Sequence, residues 1–105
     1  MTRNAKIVCP SYLAWVKSQY CLIGFDCLGP MDPHHLIAVQ YQESKRNDFT
    51  AVNLCRKHHS EVETISVADF ELRYEVNLWK EAALNASVFF ADPERRAKVK
   101  IDVER

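Results

Sequence analysis

The chain has 105 residues, 48% hydrophobic and 27% charged, and its 14 basic and 14 acidic side chains cancel to a net charge of zero. That length makes one domain, with a core small enough to need a metal, a disulfide or a partner as a staple. Balanced charge excludes capture of nucleic acid by a global positive field, so any such role rests on local basic patches. No apolar run approaches the roughly 20 residues that cross a bilayer.

Met1 to Lys6 leads into a short apolar stretch that Pro10 ends. No signal-peptide-like segment is expected there, which points to a reducing cytoplasm, where cysteines serve metals before disulfides. Residues 10–19 read as a helix: Pro10 suits a first turn, and Tyr12, Leu13, Trp15, Val16 and Tyr20 recur at helical spacing. Gly24, Gly29, Pro30 and Pro33 make 21–33 a turn-rich loop holding Cys21 and Cys27. Leu36–Tyr41 and Phe49–Leu54 read as strands around the polar turn Glu43–Asp48, followed by a short helix over Lys57–Thr64. Ser66 with Asp69 marks a helix start that carries Phe70 and Tyr74 inward. Asn77 caps another helix, whose apolar face is Leu78, Trp79, Ala82, Ala83, Ala86 and Phe89. Asp92-Pro93 ends it. The domain is placed at 1–92 and a charged tail at 93–105. The core is built on Trp15, Trp79, Phe70, Tyr74 and Phe89.

The four histidines fall as two adjacent pairs, His34-His35 and His58-His59, and Cys55 stands three residues before the second pair. Cys55-x2-His58 has the spacing of a zinc knuckle, and a tetrahedral structural site needs two more soft ligands. Cys21 and Cys27 supply them, with Cys9 in reserve. Neighbours on an extended chain point to opposite sides, so one of His34 and His35 can bind an ion while the other faces a substrate. His59 and Glu63 are four apart and share a helix face. With His34 they make a two-histidine, one-carboxylate set for a catalytic divalent ion, and His35 is placed as a general base.

Pro33-His34-His35-Leu36, then Asp48, then Asn53-Leu54-Cys55-x2-His58-His59-x3-Glu63 resembles the HNH (His-Me finger, ββα-metal) endonucleases. The likeness is to the phage and bacterial Ref-like recombination-nuclease subgroup, and it covers residues 12 to about 90. It implies a small α+β fold with a ββα-metal core, a structural zinc on Cys21, Cys27, Cys55 and His58, and flanking helices. By the same resemblance His34, His59 and Glu63 hold the catalytic ion, His35 is the base, and Asp48 or Asn53 orients it. Glu63 stands where the family has its last histidine, and a carboxylate favours hard ions such as Mg²⁺ or Mn²⁺. Gly24 stands where the subgroup commonly has a second cysteine, and no long basic arm precedes the domain.

The implied activity is single-metal hydrolysis of DNA phosphodiester bonds, leaving 5′-phosphate and 3′-hydroxyl ends. Lys45, Arg46, Arg56 and Lys57 would hold backbone phosphates. DNA, and recombination or replication proteins, are the expected partners, with no membrane. The contrasting expectation is a catalytically inactive zinc module that binds DNA or protein.

Overall fold

The computed structural model describes residues 6–36 and 46–104. It is a small α+β fold with two two-stranded sheets and five helices among those residues. Strand β1 (Lys6–Val8) leads into α1 (Pro10–Lys17), which Pro10 opens at its first turn and whose buried face is Tyr12 and Val16, one helical turn apart. The turn-rich loop then delivers β2 (His34–His35). It pairs antiparallel with β3 (Ala51–Val52), His34 opposite Val52 and His35 opposite Ala51.

The second predicted strand is shorter than expected. Asp48–Thr50 is a turn of 3-10 helix, capped by the Asn47 side chain, which accepts from the Phe49 N–H. Asp48 is pinned there by accepting the Cys9 N–H at 2.7 Å, and pairing begins only at Ala51. Of the first predicted strand only Leu36 lies among the described residues, as does only the end of the 43–48 turn.

Helix α2 (Arg56–Ile65) starts directly after Cys55 and buries His58 and Val62. Ser66 closes α2 and opens α3 (Val67–Tyr74), its hydroxyl accepting from the Asp69 N–H. Asn77 caps α4 (Leu78–Ala91) as expected, by accepting from the Lys80 N–H. Two apolar clusters follow. One gathers Leu54, Val62, Phe70 and Leu78 between β3 and helices α2 to α4. The other joins Tyr12 and Val16 to Phe89, with Trp15 and Phe49 against it.

One expectation needs correction. Trp79 is 45% exposed, because the inward face of α4 is the narrower line of Leu78, Ala82, Ala86 and Phe89. Residues 93–104, the charged tail, carry two further elements. Asp92 accepts from the Glu94 N–H to start α5 (Pro93–Lys98), Val99 packs on the second cluster, and β4 (Asp102–Glu104) pairs antiparallel with β1. No helix among the described residues is long and apolar enough to cross a membrane.

Candidate metal centre

The loop before β2 is zipped by backbone hydrogen bonds onto the chain entering α2. Arg56 N–H donates to Pro30 O at 2.9 Å, Lys57 N–H to Leu28 O at 3.1 Å, and Asp32 N–H to Leu54 O at 2.7 Å. Gly29 lies inside this zipper, where a Cβ would meet the Arg56 Cβ at 2.8 Å, and its φ of +83° is one that glycine adopts freely. The zipper brings together residues that the sequence keeps far apart. Cys21, Cys27, Cys55 and His58 each place one ligand atom within 4.8 Å of all the others.

The His58 Nδ1 stands 3.2 Å from Cys55 Sγ, 3.5 Å from Cys21 Sγ and 3.8 Å from Cys27 Sγ. Tetrahedral zinc, with bonds of about 2.3 Å to sulfur and about 2.0 Å to nitrogen, puts S···N edges at roughly 3.5 Å. The donor set therefore fits a structural metal such as zinc. Burial lowers the His58 pKa against the opposing pull of Glu61, which favours the neutral ring that can offer a lone pair. Desolvation and the adjoining Cys21 and Cys55 push the Cys27 thiol up to about 11, as expected where thiols crowd without a cation. The rings of Tyr74 and Phe70 stand edge-to-face on the His58 imidazole and close the inner side. Cys9, the reserve ligand, is elsewhere: its N–H is bound to Asp48 and its sulfur lies 3.6 Å from Ser11 Oγ.

His59 follows His58 and so points roughly 100° around the helix, away from the cysteines. Its Nδ1 lies 2.8 Å from Asp32 Oδ2 and its Nε2 lies 3.2 Å from Glu63 Oε1. The His34 ring stands against it at 4.9 Å between centroids. Burial, then the neighbouring His59, pushes His34 down to about 4, which keeps it neutral and able to act as a ligand. His34, His59 and Glu63 are thus neighbours in the fold, with Glu63 largely exposed at the rim, but among the described residues it is the cysteine cluster, not this set, whose ligand atoms converge as a metal site.

His35 points to the opposite side of β2. Its Nε2 is 3.0 Å from Asp48 Oδ1, an oxygen that also accepts from Arg46 Nε at 2.6 Å. Asp48 is fully buried. Burial alone would raise its pKa, but the Cys9 N–H, Arg46 and His35 outweigh that and hold it below the usual carboxylate range. A depressed folded-state pKa contributes stability that is present above the unfolded value and disappears as pH falls through the folded one. Asp48→Asn is therefore expected to be about 3 kcal/mol less stable than the parent at pH 7. That gap should begin to narrow below roughly pH 4, the ordinary carboxylate value, and close only below the depressed folded one. Denaturant midpoints at pH 7, 5 and 3 check this, and a gap that holds at pH 3 would contradict it; metal loss in acid affects both proteins alike.

The Asn53 amide donates to Tyr20 O at 2.6 Å and accepts from Asn85 at 3.0 Å, tying the loop and α4 to β3, whereas among the described residues it is Asp48 that meets the His35 ring. Arg56 lies 3.4 Å from Asp32 Oδ2, Lys57 is exposed, and Lys45 lies outside the described residues. Asp32 is the site residue that sequence reasoning missed. Its only signal was its place two residues before His34.

A family model described as "Protein of unknown function (DUF968)" matches residues 2–88. The chain belongs to this family. Its description names no activity, so the geometry above carries the functional reading. The chain is also 38% identical over 78 residues to the uncharacterized protein YdfU of Escherichia coli (strain K12), a match covering 70% of this chain and 21% of YdfU. The chain thus spans about a fifth of the length of the curated relative it matches. No solved structure matches it.

Proposed function

We propose that this domain is a metal-dependent endonuclease of the HNH (His-Me finger) type that hydrolyses DNA phosphodiester bonds, with β2, β3 and α2 as its ββα-metal core. The observation that carries the reading is the division of labour along α2. His58 faces the cysteine cluster while His59 and Glu63 turn toward His34, and His35 stands apart with its own carboxylate.

In this reading the Cys21, Cys27, Cys55 and His58 site is a structural zinc that stiffens the base of β3 and the start of α2. His34, His59 and Glu63 are the ligands of a hard divalent ion, Mg²⁺ or Mn²⁺, which when bound supplies Lewis-acid stabilisation at the scissile phosphate. Asp48 holds His35 through Nε2, leaving Nδ1 to take the proton of the attacking water. Arg46, Arg56 and Lys57 lie close enough in sequence to these groups to hold flanking phosphates, giving strong salt dependence and little sequence preference.

The test is plasmid cleavage by the purified chain in Mg²⁺, Mn²⁺ or EDTA. Nicking or linearisation that needs the ion and falls steeply with salt is expected. Protein that is folded and zinc-loaded yet cuts in none of these conditions would instead be a zinc module that binds without cleaving.

A further inference from the structure

His58 offers its Nδ1 to the three cysteines, and its other nitrogen is the unusual one. Nε2 is buried and meets no nitrogen or oxygen partner among the described residues. A neutral imidazole carries one ring proton, so an Nδ1 free to bind metal puts that proton on Nε2. A buried N–H left unmet is costly, and a ligating histidine ordinarily gives this proton to a carboxylate, a carbonyl or water. Two aromatic rings flank it instead. The Tyr74 ring lies 5.4 Å from the His58 ring between centroids and nearly perpendicular to it, at 84°. Phe70 stands farther off, at 6.5 Å. The face of an aromatic ring is electron-rich and accepts the edge of a neighbour, N–H groups included.

Tyr74 is itself held in place. Its hydroxyl donates to Glu61 Oε1, and the other oxygen of that carboxylate accepts from Arg73 at 2.6 Å. Glu61 comes three residues after His58 on α2, so one helix carries both the ligand and the group that fixes the ring. Phe70 packs on Tyr74 at 4.7 Å, and Phe25, from the loop between Cys21 and Cys27, reaches it at 6.0 Å.

We infer that Tyr74 is the positioning residue of the cysteine–histidine metal centre: its ring receives the His58 Nε2–H and so fixes the tautomer that presents Nδ1 to the ion. The inference rests on the zinc reading of that cluster and does not depend on nuclease activity.

Long-range proton–nitrogen correlation spectra of the zinc-loaded protein read the His58 tautomer directly. The parent should show a proton on Nε2, slow to exchange and displaced upfield by the ring it faces. Tyr74→Phe keeps the ring and should keep that displaced signal. Tyr74→Leu fills the space without a π face, so it should lose the displacement and, in competition with a chelator, bind zinc about 10- to 100-fold more weakly. If the leucine variant fails to fold, the parent and Tyr74→Phe spectra decide. A zinc-loaded parent with its His58 proton on Nδ1, or with an Nε2 proton that is not displaced, would overturn the assignment. So would a Tyr74→Leu protein with the parent's signal and zinc affinity. A parent that takes up no zinc would overturn the metal centre itself, a distinct result.

Discussion

Replacing Cys55 with serine is expected to abolish both metal retention and cooperative folding. Structural zinc sites contribute about 10–16 kcal/mol in small metal-dependent folds. A whole domain of this size is stable by only about 5–15 kcal/mol. Cys55 is buried at the junction of β3 and α2, and His58, three residues on, lies fully buried against Phe70 and Tyr74. Without the ion, crowded thiols and an imidazole remain where the core needs rigid contacts. Elemental analysis should give one zinc per chain in the parent and close to none in Cys55→Ser. Thermal melts followed by circular dichroism should change from a sharp transition to a broad drift, and a strong chelator should do the same to the parent. Cys9→Ala is the control: Cys9 sits outside the cluster, so that variant should keep its zinc. A chelated parent that melts as sharply, and as hot, as the loaded one would remove the structural role from this site.

Replacing His35 with alanine is expected to remove cleavage while leaving the fold intact. A positioned general base contributes about 10²- to 10⁴-fold to rate, and no other histidine lies on that side of β2 to replace it. The His35 side chain is 22% exposed, so truncating it opens no sealed cavity. It does leave Asp48 with Arg46 and the Cys9 N–H as partners, enough to keep that carboxylate satisfied. Initial rates of plasmid nicking at saturating Mg²⁺ or Mn²⁺, beside unchanged melts and zinc content, separate chemistry from folding. A His35→Ala protein that nicks at the parent rate would assign the base elsewhere.

The structural cluster was legible in the sequence because sulfur and imidazole are few and chemically committed: four cysteines and four histidines leave few ways to build a soft tetrahedral site. Cys55-x2-His58 also straddles a helix start, so local geometry alone brings its two ligands together. Ser66 and Asn77 were legible for a similar reason, since a cap acts within three residues. Asp32 was not, because carboxylates are common and its partner His59 comes 27 residues later across the loop zipper. Asn53 stands beside the motif in sequence, while its bonds run to Tyr20 and Asn85, partners that spacing could not reveal. Trp79 misled through helical spacing, which marks an apolar stripe without fixing how wide a stripe its neighbours cover. The strand at 102–104 was hidden by its charged flanks and by a partner at the opposite end of the sequence.

The antiparallel register of β1 and β4 sets Lys6 beside Glu104. Both ends of the fold therefore leave from one place and in the same direction. A unit with adjoining entry and exit can be spliced into a host polypeptide without stretching either flank.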